Sequence, residues 1–300
     1  MVDASVDFKR LPTLTIPSLS MTLPMDPNVV HGTLPCGLQY YIKQNQKPEA
    51  RTALQLAVRA GSVLEKEHER GIAHMIEHLG FRATANYPDF LLIKFLESVG
   101  ASFGACQNAY TSFDETVFQL NVPTDKAGRI RQSIGVLHEW ATRIRILAED
   151  LEGERGVVLE ELRQQRNSTG RLTEAYWQQL TLGSKYELRM PIGIEEVIRQ
   201  VEPEALRSFY RRHYRPSAMC AVIVGDFASA EEILKMLADE FSSEASLPPG
   251  AEGAALLSPP PLLYVPPHTR PRCVCLEDPE ATGSEVSIEC KHPRVEQAAS

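Results

Sequence analysis

The chain has 300 residues, room for one large core and part of another, since domains usually run to ~100–200 residues. Its 43% hydrophobic and 23% charged residues are those of a globular chain. The net charge of −8 argues against nucleic acid or an anionic membrane as the main partner, because both reward a basic surface, and no apolar run approaches the ~18–20 residues of a membrane span.

Residues 1–30 mix Lys9 and Arg10 with Asp3, Asp7 and Asp26, and Thr13–Thr22 is rich in Ser, Thr and Pro. No secretory signal shows, the acidic residues give an organellar transit peptide poor support, and the Ser, Thr and Pro suit a flexible N-terminal arm just as well. From residue 31 onward regular patterns take over. β-rich runs predict strands at Leu38–Lys43, Thr52–Val58, Ser102–Cys106, Thr116–Val122 and Ala218–Val224. Helical patterns cover Gly71–Phe81, Asp89–Ser98, Asp125–Ile146, Ala148–Arg166, Leu172–Leu182, Pro203–Tyr210 and Ser229–Phe241, with Pro203 suited to a first turn and Ser229 to a cap. The early strands follow one another with only short breaks. The expected class is therefore α+β, a mixed, largely antiparallel sheet layered with helices, and not a strict βαβ repeat.

This main domain is expected over residues 31–241. Residues 242–261 collapse into Ser, Ala, Pro, Gly and Glu, including Pro248-Pro249-Gly250 and Pro259-Pro260-Pro261, and read as a linker. Beyond it, Leu262–Val265, Arg272–Leu276 and Glu285–Cys290 read as the first strands of a second domain, truncated at Ser300. The six cysteines are scattered and contain no C-x-x-C, which suits reduced thiols of an intracellular protein better than a disulfide framework.

Chemistry concentrates in His74-Met75-Ile76-Glu77-His78. Histidines at i and i+4 of a helix point both imidazoles to one side, close enough to grip one cation. Glu77 lies three residues after the first histidine and next to the second, where its carboxylate can act on water at the metal. The order H-x-x-E-H is that of the inverted zincins. A zinc hydrolase needs a third protein ligand, and the helical stretch Glu154–Arg163 offers one. Glu154 and Glu161 are seven residues apart, about two turns, so they share a face while Val157 and Val158 fill in the apolar side. Glu161 is the favoured ligand, with the adjacent Glu160 as its competitor. His, His and Glu with an open fourth position make up the ligand set of a catalytic zinc site. His68, set among charges, reads as solvated; His138 lies in a helix beside Trp140; His31, His213, His268 and His292 have no companions at ligand spacing.

These stretches, in this order, resemble the pitrilysin/insulinase family of zinc metallopeptidases, its PqqL-like branch and the mitochondrial processing peptidase relatives. The resemblance begins at Gly32–Tyr41 and passes through Ala60–Glu65 and the H-x-x-E-H helix. It continues through Gln107–Thr116, Glu154–Glu161, Leu188–Gly193 and Val224–Phe227, covering roughly residues 31–242. It implies a mitochondrial processing peptidase-like metallohydrolase domain followed by the start of a second, similar one. Family members are clamshells of two halves, each of two similar domains, which 300 residues cannot hold.

The implied activity is zinc-dependent endopeptidase cleavage. His74, His78 and Glu161 would hold Zn2+, Glu77 would serve as general base, and Glu154 would orient a ligand histidine. In the family, a strand resembling Asn108-Ala109-Tyr110-Thr111 takes up substrate as an added strand, which makes Asn108 and Ala109 the expected substrate contacts; Val117 and Phe118 read as plain core. The implied partners are a peptide or unfolded protein substrate and a C-terminal half of the clamshell, supplied in cis or by a partner subunit. The alternative is a non-catalytic peptide-binding or scaffold subunit of the same family, against which the retained motif argues.

Overall fold

Alternating apolar positions make strands with one buried face, and here they build a six-stranded sheet. The computed structural model describes residues 25–98, 107–126, 128–245, 263–268 and 270–291. Its strands are β1 (Val29–Thr33), β2 (Gln39–Gln44), β3 (Arg51–Val58), β4 (Gln107–Thr111), β5 (Thr116–Pro123) and β6 (Met219–Gly225). They lie side by side in the order β1-β2-β6-β3-β5-β4. Only the β2–β6 pairing is parallel; the other four are antiparallel. Thr52, Leu54, Leu56 and Val58 of β3 and Met219, Ala221 and Ile223 of β6 are buried at every second position.

Helices cover that buried face. They are α1 (Ile72–Arg82), α2 (Leu91–Ser98), α3 (Arg129–Thr142), α4 (Ala148–Gln165), α5 (Ser168–Leu180), α6 (Glu195–Gln200), α7 (Pro203–His213) and α8 (Ala230–Glu240). Phe118 of β5 stacks on Trp140 of α3 with ring centroids 4.9 Å apart, and Trp140 Nε1 donates to the Gly80 carbonyl of α1 at 3.0 Å. Val117 and Phe118 are indeed core. His138 is fully buried and ties α3 to the end of α8, with Nδ1 3.2 Å from Glu240 and Nε2 2.7 Å from Glu244.

The α+β class with a mixed, largely antiparallel sheet stands, and several bounds move. The sheet starts at Val29, inside the stretch read as an arm. The predicted strand Ser102–Cys106 lies outside the described residues. The helix expected over Asp125–Ile146 contracts to Arg129–Thr142: Gly128 takes φ +86° ahead of it, and Ile144 pairs with Thr84 as a β-bridge behind it. Asp89 and Phe90 have positive φ, so α2 begins only at Leu91. In α5 the Asn167 side chain accepts from Gly170 N at 3.0 Å, starting the helix earlier than its apolar pattern does.

The predicted strands after the linker are a clearer correction. Among the described residues from 263 to 291 no strand forms, and Val286 and Ile288 are 93% and 96% exposed. A strand needs neighbouring N–H and C=O groups to pair with, and among the described residues no strand pairs with this segment. The segment is tied instead to α5, through Arg171 to Asp278 and Glu280 and through the Tyr176 hydroxyl to Glu289 at 2.9 Å.

Candidate metal centre

A helix at a protein surface buries one stripe; α1 buries nearly its whole circumference. Nine of its eleven residues are buried, among them His74 and Glu77. Ionisable groups inside such a helix are costly unless something pairs with them. The entry to α1 is tightly built. Gly71 (φ +103°) and Gly193 (φ +81°) pack backbone to backbone, and a Cβ on Gly193 would sit 2.4 Å from Gly71 Cα. The buried carboxylate of Glu65 accepts from Gly71 N at 3.0 Å and Ala73 N at 2.9 Å, closing the open N–H groups of the first turn.

His74 and His78 sit edge to face, ring centroids 4.7 Å apart. α4 runs alongside with Asp150, Leu151, Glu154, Val158 and Leu162 buried in one stripe. Val157, expected among the apolar contacts, falls past the edge of that stripe and is 51% exposed. Glu161, one turn after Val157 on the same side of α4, lies closer to the stripe and leans in toward α1. Its Oε2 lies 3.6 Å from His74 Nε2 and 3.4 Å from His78 Nε2. Among the described residues these three are the group whose ligand atoms gather within 4.8 Å of one another. Glu160 does not join them: it is bound to Arg163 at 2.6 and 2.8 Å on the exposed side of α4. An open cleft of about 460 Å³, lined by Gly156, Val157, Glu160, Glu161 and Gln164, adjoins the site.

Electrostatics fit a cation. Burial holds His74 well below the usual histidine range, helped by the charge of His78 and opposed by Glu161. The neutral imidazole is the form that binds metal, and His74 Nδ1 is buried with no hydrogen-bond partner. Burial would also depress His78, but its hydrogen bonds to Glu154 and Glu161 and the charge of Glu77 carry it up to about 9. The hydrogen bond from His78 pulls Glu161 down despite burial. Two imidazoles and a carboxylate match a borderline-soft divalent ion such as zinc, which would take the place of the proton that the carboxylates hold on His78.

Glu154 lies against the far side of His78, Oε2 to Nδ1 3.4 Å, and its Oε1 accepts from Arg82 Nη1 at 3.0 Å. Burial would raise its pKa, but those two bonds outweigh it and hold the carboxyl below the usual carboxylate range. Glu77 is raised by burial, with Thr111 and His78 acting the other way, and Thr111 Oγ1 donates to Glu77 Oε2 at 2.6 Å. Asn108 of β4 is exposed and Ala109 packs half-buried against the core; among the described residues β4 is an outer strand with β5 as its one neighbour.

With that geometry in place, comparison with known proteins decides the family. Residues 40–188 match the model of Insulinase (Peptidase family M16), and residues 200–293 that of the Peptidase M16 inactive domain. The chain belongs to peptidase family M16. It is 44% identical over 88% of its length to "Zinc protease PQQL-like" of Arabidopsis thaliana, covering 27% of that protein. It is 36% identical over 74% of its length to "Probable zinc protease PqqL" of Haemophilus influenzae, covering 24% of that one. The crystal structure of the first half of the periplasmic protease PqqL from Escherichia coli superposes with a TM-score of 0.75 at 31% identity, over 83% of this chain and 51% of that one. The chain thus spans about a quarter of the curated relatives it matches, and it is PqqL-like within the family. The inactive-domain match runs on from the first domain to residue 293, over the start of a second domain.

Within this M16 domain, Arg82 and Thr111 escaped the sequence reading. Arg82 stands four residues after His78, the same helical step that joins the two histidines, so its place beside the site was open to inspection. Thr111 sits in a quoted stretch, but nothing in spacing along the chain points its hydroxyl at Glu77.

Proposed function

We propose that this chain carries the catalytic domain of a zinc-dependent endopeptidase. The observation that carries the reading is the convergence of His74 Nε2, His78 Nε2 and Glu161 Oε2 beside a buried Glu77. These three residues would hold the metal. Zinc bound there supplies a Lewis acid that polarises a scissile carbonyl and makes a water acidic near neutrality. Glu77 takes the proton of the attacking water and later hands it to the leaving amine. Burial, by raising its proton affinity, suits Glu77 to both halves of that task. Glu154 accepts a hydrogen bond from the Nδ1–H of His78 and keeps Nε2 turned to the ligand position. Its own second oxygen is held by Arg82.

Substrate is a peptide or unfolded segment that adds to the open edge of β4, held by main-chain hydrogen bonds, with Asn108 and Ala109 at the contact. A C-terminal half, in cis or on a partner subunit, completes the site. The chain's coverage of only 51% of a structure itself described as a first half supports that requirement. Bound metal measured by elemental analysis in wild type and His78→Ala tests the ligand set: about one zinc per chain is expected in the first and a large loss in the second. Equal zinc in both would reject it.

A further inference from the structure

We propose that Thr111 is the positioning residue of the general base, its hydroxyl holding the Glu77 carboxylate in the orientation that serves the attacking water. This deepens the peptidase reading and rests on it. Thr111 ends β4 and pairs across the hairpin with Thr116, the first residue of β5. The turn between them is closed by Ser112 N donating to Glu115 O at 2.8 Å. The hydroxyl is therefore placed by the sheet, not by the helix that carries Glu77.

Each hydroxyl has one proton to give. That of Thr116 goes to the Ala60 carbonyl at 2.8 Å, so Thr116 has none left for Thr111, which it meets at 3.3 Å. The 2.6 Å contact from Thr111 Oγ1 to Glu77 Oε2 has the length of a hydroxyl donating to a carboxylate oxygen. Among the described residues no hydrogen bond reaches the other oxygen, Oε1. One oxygen is thus fixed and the other left for the proton transfer. A β-branched residue suits the task, because its χ1 is stiff and it favours a strand. The same strand is, among the described residues, an edge of the sheet, so a peptide paired with β4 is bonded to the segment that aims the base. Substrate docking and base orientation are in this way properties of one strand.

The test compares zinc-loaded wild type, Thr111→Val, which keeps the shape and deletes the hydroxyl, and Thr111→Ser, which keeps the hydroxyl. The probes are a peptide hydroxamate, whose hydroxyl proton must be received by the Glu77 carboxylate, and the same peptide ending in an amide. Thr111→Val is expected to retain its zinc and its affinity for the amide while losing ~10–100-fold in affinity for the hydroxamate, the worth of one hydrogen bond to a charged group. Thr111→Ser is expected to recover most of that loss. Should Thr111→Val not fold, Thr111→Ala deletes the same hydroxyl. A hydroxyl-less, zinc-loaded variant that binds the hydroxamate like wild type overturns the assignment. So does a Ser variant as weak as the Val variant, because the methyl group would then be what matters. Wild type without zinc rejects the peptidase reading itself, and the role of Thr111 with it.

Discussion

Glu154→Gln isolates the support behind the ligands from the ligands themselves. The substitution preserves size and one acceptor oxygen but removes the charge and the second acceptor. In the native site Glu154 serves two donors at once, His78 Nδ1 at 3.4 Å and Arg82 Nη1 at 3.0 Å. An amide can accept from one of them only, and its NH2 would face the other donor. Its side chain is 7% exposed, so water does little to replace the lost partner. Loss of such a support for a metal-binding histidine costs ~10–100-fold in metal affinity, or ~1.4–2.8 kcal/mol. Competition with a chromophoric chelator measures the zinc affinity directly. Glu160→Gln is the matched control, six residues along the same helix, with its carboxylate engaged by Arg163 on the exposed side; its affinity should not change. If Glu154→Gln binds zinc as tightly as wild type, or Glu160→Gln loses as much, the orientation argument fails.

In a form of the enzyme that turns over, Glu77→Gln should keep its zinc and lose ~10²-fold or more in peptide hydrolysis; a zinc-loaded variant with retained turnover would assign the base elsewhere. Residues 1–300 alone should be a weak peptidase, since electrostatic stabilisers contributed by a second half are each worth ~10²–10³ in rate. Adding a C-terminal half in trans or in cis should restore the rate, and equal rates with and without it would refute the clamshell requirement. Glu69 is buried, and Arg212 donates to both its oxygens at 2.9 Å. Burial raises its pKa, but its bonds from Lys66 N and Arg212 outweigh that and leave it depressed. A depressed carboxylate adds stability that is full above the unfolded value near 4.5 and is lost as pH falls through the lower folded value. Glu69→Gln should therefore destabilise the protein by ~1.5–3 kcal/mol at pH 7 and by progressively less below pH ~4.5. Denaturant melts at several pH values check this, and a pH-independent difference would contradict it.

Local order was open to inspection in the chain wherever one short-range rule sufficed. The i, i+4 step of His74 and His78 is a property of any helix, and so is the two-turn step from Glu154 to Glu161. Period-two apolar runs located β2, β3, β5 and β6 to within a residue or two. Cap chemistry at Pro203 and Ser229 matched the helix starts seen at α7 and α8.

What the chain alone left open depends on partners distant in sequence. Whether Glu160 or Glu161 turns toward the histidines follows from how α4 rotates when its buried stripe packs on α1, and the same rotation leaves Val157 outside. The described residues between 263 and 291 carry a strand pattern, yet no strand pairs with them there and the pattern stays unrealised. Thr111 meets Glu77 across 34 residues, and Glu154 meets His78 across 76; no periodicity encodes such distances. The sequence by itself determined which chemical groups this protein holds and their helical spacing, because those follow from local geometry. Only the tertiary structure decided which of them face one another, because side-chain direction is set by packing between elements that the chain brings together last.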